Sequence, residues 1–405
     1  MIVAVIGKNF GDEGKGLAVD HFCAKFPGTV VVKHNGGAQA GHTVVHNGRR
    51  FVFHQLSSGS FRGAKTYWAS TYYPDLYKLR EEISDLGFAP EIYCNVNTPL
   101  IMIDDVLLNM AAETARGDKR HGSCGMGIWE GTLRTESGNG LFAGDLLGMD
   151  AEKLAGKLKE IRENYVTGRI ADLGLKAHPS EYLKLLSSRN VLVNAAEEML
   201  RGLEYVTPVE DESAFLRSQA NIVFETGQGL LLDSENESFA PHVTASRTGL
   251  HNIVTLLKAA GLRLDEACYV TRTYVTRHGA GYLPFETSCE NIGNIGEDLT
   301  NVHNDWQGSI RYAKHGSVEG FLSGIRADFE EAKHIYPGFS GDNAIPASLF
   351  FTHLNETDSK IVFADEDMEI EDFLSIPEVK LLIGNCYLSY DQESASKTVV
   401  NSARV

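Results

Sequence analysis

The 405-residue sequence has little basic character and no long apolar run. Lysine and arginine number 37 against 54 aspartates and glutamates, so the formal net charge at pH 7 is -17. Because no basic stripe offsets this charge, we expect no nucleic-acid partner. No apolar stretch reaches the roughly 18 residues of a membrane-spanning helix, and the first residues are strand-like rather than a charged signal segment. The sequence therefore predicts a soluble cytoplasmic protein with no membrane partner.

The six cysteines are widely scattered, without a CxxC pair or the His/Cys spacing of a metal site. A zinc site and a disulfide framework are therefore not expected. The chain is nevertheless 43% hydrophobic, which is ample for a large core. A soluble enzyme is the interpretation that these properties favour.

Short apolar runs rich in β-branched residues recur along the chain. They predict buried strands at 2–6, 29–33, 99–103, 190–194, 221–225, 267–271, 348–352 and 379–383. Apolar residues at three- and four-residue spacing predict helices at 75–86, 150–164 and 195–206. This alternation predicts an α/β fold, with a central, mainly parallel sheet flanked by helices. We expect one domain over 1–405, with a long polar loop insertion at about 285–320 that covers an active site.

The stretch GKNFGDEGKGL at 7–17 follows the first predicted strand. Its glycines, the N-terminus of a following helix and the Lys15 ammonium predict a phosphate-binding loop. The loop differs from a Walker A motif, because six residues rather than four separate Gly7 from Gly14 and because Gly16 follows the lysine. Asp12 can lie beside phosphates if it holds Mg²⁺ or removes a proton; alternatively it caps the next turn.

Two motifs in succession resemble the adenylosuccinate synthetase family. GDEGKG at 11–16 and NGGAQAGHTV at 35–44 are similar to the family signatures GDEGKGK and GGxNAGHT. Further similar blocks follow in the same order: HGSCGMGI (121–128), FETGQGLLLD (224–233) with HVTAS (242–246), YVTRHGAGYLPFE (274–286) and FFTHLNETD (350–358). The resemblance extends from residue 1 to about 360. It implies the family fold and a homodimer.

The resemblance also implies a C–N ligase. Such an enzyme uses a nucleoside triphosphate to phosphorylate the 6-oxygen of IMP, and L-aspartate then displaces the phosphoryl group. By motif, Asp12 is the base, His42 the general acid and Lys15 the support for the transferred phosphoryl group. Asp12 and the Gly41 carbonyl are the implied Mg²⁺ ligands. Without its motif, His42 would more often be a surface or capping histidine.

The remaining implied contacts fall into two sets. The nucleotide set is Gly11, Asp12, Glu13, Gly14, Lys15, Gly16, Gly41, His42, Thr43, Thr352, His353 and Asn355. The substrate set is Gln39, Cys124, Gln228, Thr244, His278, Gly279 and Arg311, with Arg311 as the candidate partner for a carboxylate of the amine donor.

Several residues depart from the family pattern at positions that read substrates. Gln39 replaces the Asn of NAGHT, and Cys124 replaces the second Thr of GTTG. An arginine pair that reaches into the partner subunit falls near 138–139, which are Gly and Asn here; Arg134 is a candidate replacement. Asn355 replaces an aspartate that selects guanine, so we expect relaxed nucleotide choice, with ATP a candidate beside GTP.

Three functions stay open at this point. The chain could be a divergent adenylosuccinate synthetase, or it could apply the same chemistry to another acceptor. It could also be a non-catalytic nucleotide-binding protein. Retention of Asp12, Lys15 and His42 together argues against the third function.

Overall fold

A computed structural model describes residues 1–117, 120, 122–296, 308–393 and 398–401. In these residues the strands are β1 (Ile2–Gly7), β2 (Val30–Lys33), β3 (His42–His46), β4 (Arg49–Phe53), β5 (Lys65–Trp68), β6 (Ile92–Asn95), β7 (Val206–Val209), β8 (Ile222–Gly229), β9 (Leu264–Arg272), β10 (Val275–Arg277), β11 (Glu286–Thr287), β12 (Arg311–Ala313), β13 (Ser340–Thr352), β14 (Lys360–Ile361), β15 (Met368–Glu369), β16 (Ile383–Leu388) and β17 (Thr398–Asn401).

The α-helices in the same residues number thirteen. They are α1 (Lys15–Lys25), α2 (Leu76–Leu86), α3 (Ile103–Arg116), α4 (Ile128–Arg134), α5 (Ala151–Ile161), α6 (Thr167–Asp172), α7 (Glu181–Leu186), α8 (Arg189–Leu203), α9 (Glu212–Arg217), α10 (His251–Ala260), α11 (Val318–Ile335), α12 (Ile370–Ser375) and α13 (Pro377–Leu382). None of them is long and apolar enough to cross a membrane.

Ten strands form the central sheet in the order β17-β16-β13-β9-β1-β8-β2-β5-β6-β7. All neighbouring pairs are parallel except β16 and β17, which are antiparallel. The predicted α/β fold with a mainly parallel sheet is therefore confirmed. Because parallel strands place their carboxyl ends at one edge, the residues after β1, β8, β9 and β13 meet there.

Strand β1 is buried on both faces, as a central parallel strand should be. Ala4 and Ile6 belong to the larger core under α10 and α11. Val3 and Val5 face the opposite way, into a smaller core with Phe22 of α1. The smaller core fixes the start of α1 directly behind the loop that follows β1.

Three predicted strands are wrong. Residues 99–103 are an extended segment that ends where α3 begins, 190–194 lie within α8, and most of 379–383 lies in α13. Short apolar runs do not distinguish a buried strand from one side of a helix. In α8, Leu192, Ala195 and Met199 recur at three- and four-residue spacing and are all buried. The predicted helix at 195–206 consequently begins earlier, at Arg189.

The predicted irregular segment at 285–320 contains β11, β12 and the start of α11. Its residues 297–307 lie outside the described part of the chain, and its role as a cover stays a prediction.

Arg134 is completely buried at the end of α4. Its Nε and Nη2 donate to both carboxylate oxygens of Asp105 at 2.9 and 2.8 Å, and it also donates to the carbonyls of Leu100 and Asn139 at 2.8 Å. The idea that Arg134 replaces a phosphate-binding arginine is therefore wrong, because these partners occupy its guanidinium and it does not line the cavity described below.

Replacing Arg134 with methionine should destabilise the fold strongly. The variant leaves the Asp105 carboxylate buried without its cation, and breaking such a pair costs about 3–5 kcal/mol. Urea unfolding measures the loss. The double variant Asp105→Asn/Arg134→Met should recover part of it, and a change below about 1 kcal/mol in the single variant would contradict this account.

Candidate active site

The loop between β1 and α1 has an unusual backbone. Gly11, Asp12 and Gly14 have positive φ angles of 97°, 61° and 93°. At Gly14 a Cβ atom would lie 2.9 Å from the Thr352 side chain, so only glycine permits this approach to the end of β13. The Thr352 hydroxyl also donates to the Glu13 carbonyl at 2.8 Å. The loop is thus fixed against the carboxyl edge of the sheet.

Glu13 braces this loop from inside. Its buried carboxylate accepts from the backbone N–H groups of Asn9 at 3.0 Å and Gly11 at 2.8 Å. The other oxygen lies 2.8 Å from Lys15 Nζ, and both side chains are almost fully buried. The second acid of the motif therefore shapes the loop and holds the lysine beside it.

A cavity of about 860 Å³ opens at this edge of the sheet. The predicted site residues that line it are Gly11, Asp12, Glu13, Gly14, Lys15, Gly16, Gln39, Gly41, His42, Thr43, Cys124, Gln228, Thr244, His278, Gly279, Thr352, His353 and Asn355. Positions from six separate sequence blocks thus converge on one space. Their individual roles stay predictions.

Arg311 is the exception among the predicted site residues, because it does not line the cavity. Its guanidinium pairs with the Glu286 carboxylate at 2.8 and 2.5 Å. It also donates to the carbonyls of Gly279 and Gly281 at 3.1 and 2.9 Å. Arg311 therefore stabilises the loop at 279–281, part of which lines the cavity, but does not line the cavity itself.

Asp12 lies at the mouth of the phosphate loop with its side chain 24% exposed. Burial raises the pKa of its carboxyl above the usual range, and the nearby charges of His278, Arg272 and Lys15 oppose that rise. The His278 Nε2 atom is 3.7 Å from the carboxylate. A carboxylate of raised basicity at a cavity wall suits proton abstraction.

His42 opens β3 and lies next to a second buried acid. Its Nδ1 is 2.5 Å from Glu225 Oε1, and the His42 side chain is 7% exposed. Burial lowers the pKa of His42 to about 4, against the raising effect of Glu225. The ring is therefore neutral at neutral pH.

Sequence reasoning missed Glu225 and Arg277. Glu225 is a charged residue within an otherwise apolar strand run, which is the signal that could have found it. Arg277 is buried above the Phe10 ring at 4.6 Å and donates to the carbonyls of Tyr282 at 2.7 Å and His242 at 2.8 Å. Arg277 joins two loops that line the cavity, and the sequence TRHGAG at 276–281 gave no indication of this role.

The cavity offers oxygen donors rather than a protein cage for a metal ion. In the described residues no group of three or more His, Cys, Asp or Glu could hold one. The Asp12 carboxylate and the Gly41 main chain both line the cavity. One carboxylate and one carbonyl, completed by water and phosphate oxygens, are a donor set that suits Mg²⁺.

Comparison with known sequences gives consistent matches. The family profile described as adenylosuccinate synthetase matches residues 4–310. Adenylosuccinate synthetase from Teredinibacter turnerae is 33% identical over 304 residues, covering 73% of this chain and 67% of the relative. The enzyme from Pseudoalteromonas atlantica is 33% identical over 294 residues, covering 71% of this chain and 65% of the relative. The chain thus aligns with about two thirds of these relatives' length, and residues 350–358 lie outside the profile match.

Two solved structures share the fold. One is fully ligated adenylosuccinate synthetase from Plasmodium falciparum, with a TM-score of 0.68 and 17% identity over 98% of this chain and 99% of that one. The other is cyanophage S-2L succinoaminodeoxyadenylate synthetase (PurZ) bound to dGMP and to dATP as an energy donor, with a TM-score of 0.61 and 16% identity over 99% and 95%. At these identities the structures show a common fold.

Proposed function

This chain belongs to the adenylosuccinate synthetase family, and on that premise we propose that it is a C–N ligase that joins IMP to L-aspartate with a nucleoside triphosphate. The observation that carries the proposal is the single cavity that brings Asp12, Lys15 and His42 together with Gln228 and Thr244. We assign the first three to phosphoryl transfer and the other two to contacts with the purine substrate.

The proposed reaction has two steps. Asp12 takes the proton from N1 of the purine, the 6-oxygen attacks the γ-phosphorus, and the bond to the β,γ-bridging oxygen breaks. The aspartate amine then attacks C6, the C6–O bond breaks, and inorganic phosphate leaves with the former 6-oxygen. Phosphoryl transfer needs mainly positioning and neutralisation of charge from the protein, and Lys15 and His42 would supply both around the transferred group.

Asp12 and the Gly41 carbonyl would hold Mg²⁺. When bound, the ion neutralises phosphate charge. Mg²⁺ would then stabilise the Asp12 carboxylate beside the triphosphate. This would explain why the phosphate loop contains an acid at this position.

A second candidate is the same chemistry on a different acceptor. Gln39 and Cys124 line the cavity but depart from the family signatures. In addition, the PurZ structure that shares this fold holds dGMP rather than IMP. The acceptor could therefore be a related purine nucleotide.

A phosphate-release assay separates these candidates. The assay tests each triphosphate, ATP or GTP, with each acceptor, IMP or dGMP. Every such pair is tested with L-aspartate and with other amino acids. Release that requires IMP and L-aspartate together supports the first candidate, and release only with another acceptor supports the second. No release in any combination would support a non-catalytic nucleotide-binding protein.

We also propose that ATP and GTP both support turnover. Asn355 is exposed at the cavity just after β13, and its amide offers both a donor and an acceptor. Replacing Asn355 with aspartate should raise the kcat/KM ratio of GTP over ATP at least about tenfold, because a carboxylate accepts from the N1 and 2-amino groups of guanine. Asn355→Ala is the control, and it should lower both values alike. Strict dependence of the unaltered enzyme on GTP would contradict this proposal.

We propose a cytoplasmic homodimer, as the family resemblance implies. Residues 138–139, where the family arginine pair falls, are partly exposed or exposed and contribute no guanidinium. A phosphate contact across subunits would therefore need another residue.

A further inference from the structure

We propose that Glu225 is a positioning residue that fixes the orientation and the tautomer of His42, so that the ring presents Nε2 to the triphosphate. The proposal rests on the proposed function for the role of His42, but the tautomer itself can be observed without turnover. Nothing in the sequence motifs assigned a role to Glu225.

The position of Glu225 makes it a fixed point. It lies in β8, between the parallel neighbours β1 and β2, and its side chain is completely buried. A carboxylate in such a place is costly unless other groups satisfy it. We therefore expect hydrogen-bond donors and a cation around the Glu225 carboxylate.

Two residues besides His42, namely Ser58 and Lys33, satisfy this carboxylate or balance its charge. The Ser58 hydroxyl donates to Oε1, and the Ser58 backbone N–H donates to Oε2 at 3.2 Å. The Lys33 ammonium lies 3.6 Å from Oε2 and itself donates to the His54 carbonyl at 2.9 Å. Burial alone would raise the pKa of Glu225, but Lys33, His42 and Ser58 together lower it to about 2. The group is ionised at every working pH.

The ionised carboxylate determines which nitrogen of His42 carries the proton. An ionised carboxylate has only acceptor sites, so the His42 nitrogen at 2.5 Å, Nδ1, must be the N–H donor. In the neutral ring Nε2 then carries the lone pair. Within the described residues no hydrogen bond is made by Nε2, and His42 lines the cavity. Nε2 is therefore the nitrogen left to meet a ligand.

This arrangement has a consequence for catalysis. A general acid at the triphosphate must present one ring nitrogen in a fixed direction, and a carboxylate on the opposite nitrogen is what holds an imidazole in one tautomer. Glu225 would then raise kcat while leaving nucleotide binding almost unchanged.

Glu225→Gln is the decisive variant, because it keeps the shape and removes the acceptor. The backbone N–H of Ser58 still needs an oxygen, so the amide oxygen should stay there and the NH₂ group should turn toward His42. Nδ1 must then accept, and the proton moves to Nε2. Glu212→Gln is the matched control, since Glu212 is likewise held by hydroxyl groups, of Tyr67 and Ser70, but these partners do not include His42.

The first measurement is ¹⁵N NMR of the ring nitrogens of His42, assigned by comparison with His42→Asn. We expect the Nδ1–H tautomer in the unaltered protein and in Glu212→Gln, and the Nε2–H tautomer in Glu225→Gln. An Nε2–H tautomer in the unaltered protein would overturn the proposal, whatever reaction the enzyme catalyses. The thermal midpoint and nucleotide Kd of each variant report whether it is folded.

The second measurement is a double-mutant cycle on turnover, with the acceptor that supports phosphate release. Glu225→Gln should lower kcat at least about a hundredfold with less than about a threefold change in nucleotide KM. In a His42→Asn background the same change should cost less than about threefold, because its effect passes through His42. An equal loss in both backgrounds would mean that Glu225 is only structural and would overturn the proposal.

Discussion

Replacing Asp12 with asparagine should abolish turnover while a triphosphate still binds in Mg²⁺. The asparagine keeps the size of the side chain and tolerates the left-handed backbone at this position, where φ is 61°. It cannot accept the proton from N1, and a general base alone contributes about 10²–10⁴-fold. It also weakens the Mg²⁺ site, so we expect a loss of kcat of at least about a thousandfold.

Asp150→Asn is the matched control for this variant. Asp150 caps α5 by accepting from the Lys153 backbone N–H at 2.9 Å and does not line the cavity, and asparagine caps equally well. Steady-state phosphate release measures turnover, and titration calorimetry measures nucleotide binding. A near-normal kcat in Asp12→Asn would remove Asp12 from the base role, and complete loss of binding would make it mainly a ligand of the metal or nucleotide.

Replacing His42 with asparagine should lower kcat at least about a hundredfold. Burial lowers the pKa of His42 to about 4, so the ring is neutral at neutral pH and cannot act as an acid. The negative charge of a bound triphosphate raises that pKa. Nucleotide binding should therefore be accompanied by proton uptake in the unaltered protein, and the variant should lose it.

Calorimetry in two buffers of different ionisation enthalpy measures this proton uptake. His46→Asn is the control, since His46 is at the other end of β3, stacks on Phe61 and does not line the cavity. If His42→Asn retained both its rate and the proton uptake, the acid would have to be another group.

The sequence predicts which residues line the cavity much better than it predicts the helices and strands around them. The phosphate loop carries its geometry in its own residues, because positive φ angles demand glycine or a short polar side chain. Gly11, Asp12 and Gly14 adopt such angles, as the motif implies. Residues of distant blocks met in one cavity because parallel strands deliver their carboxyl ends to one edge.

The failures have physical causes as well. The run at 190–194 is apolar enough for a strand, but its residues are buried with the helical period of α8. Whether such a run forms a helix or a strand depends on the surface against which it packs, and the sequence does not show that surface. Arg134 and Arg311 were both predicted to contact substrates. A sequence does not show which distant carboxylate pairs with an arginine in the folded protein. Glu225 escaped notice for the same reason, because its partner His42 is far away in the chain.

In the proposed reaction the acceptor is phosphorylated on its carbonyl oxygen before the amine attacks. The most direct test uses IMP labelled with ¹⁸O at the 6-position, with L-aspartate and the triphosphate that supports turnover, and measures the mass of the phosphate released. If another acceptor is the one that supports release, its corresponding oxygen carries the label. We expect one ¹⁸O atom in each phosphate, because the labelled C–O bond breaks in the second step. Unlabelled phosphate, with the ¹⁸O retained on the purine or lost to water, would contradict it.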